Sequence, residues 1–253
     1  MVNSRPPTPQ SSTPVGRTAS SASDRLVASV KDLLIFDMDG VLVEVTESYR
    51  ETIQQTVHHF TGQRIARETI QEWKNRGGWN DDWALSHALI KSAGVEVDYQ
   101  QVVDHFQNLF HGDGTNGLVL RERWIAQPGL FDRLTTQMNC AVFTGRLRWE
   151  AELTLRRFAP DTFHPIIGAD DVSRAKPDPE GILKICEMLP HHRVWYAGDT
   201  VDDARSAKAA GVSFIGIAAP SGLRHDELVA LFHAEGAQAV IGDINEIEAV
   251  TRL

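Results

Sequence analysis

Short apolar runs alternate with amphipathic stretches along most of this chain. The runs are Leu33 to Asp37 (LLIFD), Cys140 to Thr144 (CAVFT), Ile166 to Gly168, Val194 to Ala197 (VWYA), Phe214 to Ile217 (FIGI) and Ala239 to Ile241. Continuous apolar runs of this length are the pattern of strands buried on both faces of a parallel sheet. Helical patterns lie between them at Glu150 to Phe158, Pro179 to Leu189 and Asp203 to Ala210, the last stopping at Gly211. A glycine there suits the left-handed turn that ends a helix. Strand and helix in alternation predict an α/β fold, a doubly wound, Rossmann-like parallel sheet with right-handed crossovers.

One stretch breaks the alternation. From about Glu44 to Gln127 the pattern reads as helices only, with Tyr49, Ile53, Val57 and Phe60 at helical spacing and Val102, Phe106, Leu109 and Phe110 likewise. Asp81 and Asp82 open a further helix, Trp83 to Ala93, which Gly94 closes. This predicts a small all-helical domain, residues 44–127, inserted into an α/β core made of residues 24–43 and 128–253. Two crossings, near Glu44 and Pro128, would join the two. The first 23 residues are rich in Ser, Thr and Pro and hold no acid. Such a composition buries too little apolar surface to order itself, so it reads as a disordered tail, and its two arginines are few for an organelle-targeting peptide.

Composition narrows the partners. The formal net charge of −9 argues against a nucleic-acid or anionic-membrane partner, and no apolar run approaches membrane-spanning length. Cys140 and Cys186 lack metal-ligand spacing and read as reduced core thiols of a cytoplasmic protein.

Candidate chemistry gathers where the predicted strands end. The first closes in Asp37-Met38-Asp39-Gly40. Because strand side chains alternate, Asp37 and Asp39 should project together while Met38 points into the core. Ligands of open α/β sheets bind beyond the carboxyl ends of the strands, where this pair sits. Two carboxylates so close stay ionised only beside a cation, or one takes a proton. Alone, the tetrapeptide reads equally well as a polar turn. Three further pieces accompany it. Thr144-Gly145-Arg146 offers a hydroxyl and backbone N–H groups that can hold a phosphate. Lys176-Pro177-Asp178-Pro179 sets a lysine before a helix, and Gly198-Asp199-Thr200-Val201-Asp202-Asp203 adds carboxylates after a strand. Helix capping is the plainer reading of either Asp202 or Asp203.

In this order the four pieces resemble the signature motifs of the haloacid dehalogenase superfamily: DMDGVL at Asp37, TGR at Thr144, KPDP at Lys176 and GDTVDD at Asp199. The run AKAAG, Ala207 to Gly211, resembles the segment just past the fourth motif in the phosphatase branch. The helical insert is similar to the cap of the subgroup that includes phosphoglycolate phosphatase and β-phosphoglucomutase.

The resemblance implies roles. Asp37 would attack phosphorus and form an aspartyl-phosphate. Asp39 would protonate the leaving alkoxide and then deprotonate the attacking water. Mg²⁺ would be held by Asp37, the Asp39 carbonyl and Asp199, with Asp203 in support directly or through water. Thr144, Gly145 and Lys176 would bind phosphate oxygens. The substrate would be a small phosphorylated metabolite, drawn in by these local charges and not by the acidic surface.

Asp39 argues for phosphoryl chemistry over dehalogenation, since a halide leaves without a proton. Phosphonate hydrolysis in the superfamily uses a cap lysine; Lys74 and Lys91 both read as solvated surface lysines. A phosphomutase would share the core and differ only in a cap that keeps water out. A non-catalytic module of the same fold would have lost the nucleophile or an acid, and none is missing. In the insert, Arg76-Gly77-Gly78-Trp79-Asn80-Asp81 forms a glycine-bearing loop between helices. Arg76, Trp79 and Asn80 are its candidate substrate contacts: Arg76 would suit a second anionic group, Asp81 an amine or hydroxyls. Trp73 and Trp83 read as packing residues.

Overall fold

The computed structural model describes residues 30–251; the predicted N-terminal tail lies outside them. Six parallel strands form the main sheet, in the order β5-β4-β1-β6-β7-β8. They are β1 (Asp32–Phe36), β4 (Met138–Phe143), β5 (Ile166–Ile167), β6 (Val194–Gly198), β7 (Ser213–Ile217) and β8 (Ala239–Ile241). Each predicted run becomes one of these strands. The register places Phe36 beside Val142 of β4 and Ala197 of β6, so the three central strands end level.

Both faces of the sheet are covered, as the continuous apolar runs require. Leu33 and Ile35 pack on one side with Phe143, Tyr196, Phe214 and Phe232. Leu34 and Phe36 face the other side, in a cluster that runs on through Met38 and Leu42 into the helical segment. Met38 is fully buried, as its place in the alternation predicts. Helix α5 (Leu130–Gln137) leads into β4, and the crossover helices are α6 (Arg148–Phe158), α7 (Glu180–Met188), α8 (Val201–Ala210) and α9 (His225–Glu235).

Four helices follow the first strand: α1 (Tyr49–Thr61), α2 (Arg67–Arg76), α3 (Asp82–Ser92) and α4 (Tyr99–His111). They pack on one another through Ile53, Val57, Ile70, Leu85 and Phe106. Asp81 caps α3, its Oδ1 accepting from the N–H groups of Trp83 and Ala84 at 2.8 and 3.1 Å. The stretch is not wholly helical, however. Where the chain leaves and returns, β2 (Val43–Glu44) and β3 (Arg123–Trp124) pair antiparallel. Two residues per strand carry no readable periodicity, and the pairing exists only because both crossings meet.

Candidate active site

Asp37, Thr144 and Asp199 are each the first residue past β1, β4 and β6, the three adjacent central strands. Motifs far apart in sequence thus meet at one sheet edge. Gly40 permits the closeness: its φ is +73°, and a Cβ there would collide with the Asp199 carboxylate.

Lys176 enters from the side, nearly buried. Its Nζ lies 2.9 Å from Asp37 Oδ1 and 2.7 Å from Asp203 Oδ1. Burial disfavours its charge, but the two carboxylates more than offset this and hold its proton more tightly than usual. Asp203, expected to support a metal, also anchors a hydrogen-bond network of its own. Oδ1 also accepts from Tyr196 Oη at 2.7 Å, and Oδ2 accepts from the Thr200 N–H and hydroxyl at 3.0 and 2.6 Å. With four donors on two oxygens its acceptor capacity is filled. Burial works against its charge, yet Lys176 and these donors keep its carboxyl below the usual range. Asp203 therefore fixes Lys176 and closes the first turn of α8, where Thr200 is the cap.

One oxygen each of Asp37, Asp199 and Asp203 lies within 4.8 Å of the others. Burial, together with its acidic neighbours, raises Asp37 to about 7 despite Lys176. Asp199 is likewise raised, by burial and by the charges of Asp37 and Asp203. No hydrogen bond or ion pair reaches the Asp199 side chain among the described residues. Hard oxygen donors, crowded and short of positive charge, are a group that could hold a hard divalent cation.

Asp39 projects into the same cavity as Asp37, as strand alternation predicts. Arg146, quoted in TGR but given no role by sequence reasoning, grips its carboxylate, Nε donating at 3.0 Å and Nη2 donating as well. Thr144 is buried, and its hydroxyl accepts from the Arg146 N–H at 3.2 Å.

The cavity over these groups measures about 130 Å³. That is near the ~150 Å³ of an engineered cavity that holds one benzene, so it takes a phosphate with a small leaving group. Of the three loop candidates, only Asn80 lines it, pressed so close to Gly145 that a Cβ there would clash. Arg76 turns outward to Glu72, its neighbour one helical turn back, and Trp79 packs on Trp73 with ring centres 4.9 Å apart. Arg76 closes α2 on its exposed side, and Trp79 folds back from the loop onto Trp73 of α2, so neither reaches the cavity. Trp83 packs against the core as expected and also lines the cavity. Lys74 departs from expectation: it lines the cavity, is only 11% exposed and lies 2.7 Å from Asp82. Lys91 stays at the surface.

A profile of the family described as haloacid dehalogenase-like hydrolases matches residues 34–217. The chain belongs to this family. Among relatives of this hydrolase, an imidazoleglycerol-phosphate dehydratase from Phytophthora nicotianae is 34% identical over 204 residues, 77% of this chain. The chain spans 45% of the length of that protein. A phosphoglycolate phosphatase from Pseudomonas fluorescens is 24% identical over 85% of this chain and 78% of its own. A Bacteroides fragilis structure described as haloacid dehalogenase-like shares the fold, with a TM-score of 0.68 at 22% identity, covering 86% of this chain and 99% of that one. Among the described residues of this family member, no helix is long and apolar enough to cross a membrane.

Proposed function

We propose that this hydrolase is a Mg²⁺-dependent phosphatase acting on a small phosphate monoester whose leaving group carries a negative charge. One observation carries the reading. Of the charged side chains lining the cavity, Asp199 and Arg50 alone lack a hydrogen-bond or ion-pair partner among the described residues. Asp37 has Lys176, Asp39 has Arg146, and Lys74 has Asp82. Asp81 is tied to its own helix, and Glu150 is spent on Gln107 and His111. An unpaired carboxylate beside the nucleophile suits a cation. An unpaired guanidinium on α1 suits an anion borne by the substrate. Names of relatives such as phosphoglycolate phosphatase agree with a phosphorylated hydroxy acid. The dehydratase activity named for the Phytophthora relative is not carried over, since less than half of that protein is matched.

When bound, Mg²⁺ would offset the charge of the phosphoryl oxygens and keep Asp37 ionised. Asp37 attacks phosphorus, the ester P–O bond breaks, and Asp39 gives its proton to the departing oxygen. Asp39 then takes a proton from water as that water attacks the aspartyl-phosphate, freeing phosphate and restoring Asp37. Lys176, Thr144 and the Gly145 N–H hold the phosphoryl oxygens throughout. We read residues 44–127 as a cap that shields this chemistry and meets the leaving group, and the unpaired thiols as fitting a cytoplasmic setting.

Phosphate release from phosphoglycolate and from glycerol phosphate, with Mg²⁺ and with excess EDTA, tests the reading. Metal-dependent release favouring the acid supports it. Full activity in EDTA would sink the mechanism, and transfer to an added sugar phosphate in place of water would make the chain a mutase.

A further inference from the structure

The general acid of this reading is not free to choose its orientation. Oδ1 of Asp39 is held by Arg146, and no hydrogen bond reaches Oδ2 among the described residues. All three guanidinium nitrogens of Arg146 are themselves engaged. Its side chain is 1% exposed, Nη2 donates to Glu122 Oε1 at 2.6 Å, and Nη1 donates to Thr154 Oγ1 at 2.9 Å. The plane of the guanidinium lies over the Tyr49 ring, 4.7 Å from its centre. The Thr154 hydroxyl in turn donates to Glu122 Oε2 at 2.9 Å, so the buried glutamate has both oxygens occupied.

Where these residues come from matters more than their number. Glu122 immediately precedes β3, on which the chain returns from the helical segment, and Tyr49 opens α1, on which it enters. Thr154 is on α6 and Arg146 just past β4, both in the sheet part. One guanidinium therefore touches the acid, both crossings and the sheet at once. Taking a cation and a carboxylate out of water is costly, and such groups are often no more stabilising than apolar ones. Arginine can still do what an apolar side chain cannot, because its planar fork fixes the direction of every hydrogen bond it makes. Holding Oδ1 leaves Oδ2 as the oxygen presented to the cavity.

We propose that Arg146 is a positioning residue that aims Asp39 at the leaving-group oxygen, and that Glu122 ties this aim to the crossing between the two parts of the chain. The proposal rests on the phosphatase reading. Proton transfer needs the donor and acceptor at hydrogen-bond distance, so a small error in aim is felt only when the leaving group needs its proton. When the return crossing shifts, Glu122 shifts with it and the fork turns, so Asp39 is in register only with the crossings as they stand here.

The test measures formation of the aspartyl-phosphate by rapid quench with glycerol phosphate, a poor leaving group, and with p-nitrophenyl phosphate, a good one. Arg146→Lys keeps the charge and loses the fork; Glu122→Gln keeps the shape and loses the charge. For Arg146→Lys we expect the step to slow about 30- to 100-fold with glycerol phosphate and less than about 5-fold with p-nitrophenyl phosphate. Glu122→Gln should follow the same pattern at about 5- to 10-fold, since it acts through Arg146. In an Asp39→Asn background neither substitution should slow the alkyl ester further. Equal losses with both esters, no loss in folded variants, or full additivity with Asp39→Asn would each overturn the proposal. Should Arg146→Lys fail to fold, Glu122→Gln decides alone. Wild-type protein inert towards both esters would instead refute the phosphatase reading, and that is read first.

Discussion

The two walls of the cavity are built on different principles. On the sheet side Lys176 bridges Asp37 and Asp203, and Tyr196 and Thr200 fill the remaining acceptor sites of Asp203, with Lys176 and Asp203 almost free of solvent. Asp37 follows a strand end, Tyr196 lies within β6, and Thr200 and Asp203 open α8, all of them placed by the sheet. On the helical side, Asp81 and Lys74 spend their charge on their own neighbourhood, the start of α3 and Asp82, while Arg50 is left open. A buried network of saturated partners cannot adjust without exposing an unpaired charge. A wall of locally satisfied groups can change one member and keep its shape. In the proposed phosphatase reaction the phosphoryl group, the same in every ester, would meet the rigid wall, and the leaving group, which differs, the adjustable one.

The largest effect that would break this contrast is at Asp37, the proposed nucleophile. Asp37→Asn should lower turnover about 10⁴-fold or more with every ester while far-ultraviolet circular dichroism stays native. Substantial activity would mean that the rigid wall is not where the chemistry lies. Next comes Lys176→Met, which strands Asp37 and Asp203. Turnover should fall about 10²- to 10³-fold, equally for phosphoglycolate and p-nitrophenyl phosphate. Unfolding in urea should show a loss of about 3–5 kcal/mol, the usual cost of removing one partner from a buried ion pair.

Arg50→Met should show the opposite selectivity. kcat/KM should drop about 10- to 100-fold for the carboxylate-bearing ester, the worth of a charge-assisted hydrogen bond, and stay within about 3-fold for p-nitrophenyl phosphate. Equal losses on both would erase the division between the walls. Metal affinity should also depend on pH. Burial raises Asp37 to about 7, so without metal it takes up its proton as pH falls through neutrality, and Asp199, also raised, holds its own more tightly than a free carboxyl. Mg²⁺ must displace those protons, so its Kd by titration calorimetry should weaken about tenfold between pH 8 and pH 6. A flat profile would mean that these carboxyls are not the ligands.

The smallest effect concerns a contact between the walls. Both oxygens of Asp202 on α8 accept from the Gly78 N–H, at 2.9 and 2.8 Å, and Asn75 donates to Glu227 Oε1 at 3.1 Å. On the far side Glu150 of α6 takes Gln107 and His111 of α4. Asp202→Asn weakens one such contact by about 1 kcal/mol, so KM should rise about fivefold with kcat nearly unchanged. An unchanged KM would leave the contact without a part in substrate retention.

Much of the sheet wall was legible in the sequence. Six apolar runs became six strands, and Asp37, Asp39, Thr144, Lys176 and Asp199 came together in one cavity. On the helical side Asn80 was found, Arg76 and Trp79 lie elsewhere, Lys74 reads from sequence as a solvated lysine and Trp83 as packing only, and nothing in the sequence singles out Arg50. Asp202 drew no role although it stands inside GDTVDD, beside residues that did.

The physical reason lies in how far each signal reaches. A strand end, a glycine turn or a capping residue is decided within a few positions of the chain, so apolar period and local chemistry determined by themselves the sheet, the helical insert and the residues just past β1, β4 and β6. The partners of Asp202, Arg146 and Glu150 lie 124, 24 and 39 positions away, in Gly78, Glu122 and His111. Which face of α2 or α1 turns inward depends on what the neighbouring helices bury, and no local pattern records that. Only the tertiary structure decided which charges would be spent on each other and which, like Arg50 and Asp199, would be left over.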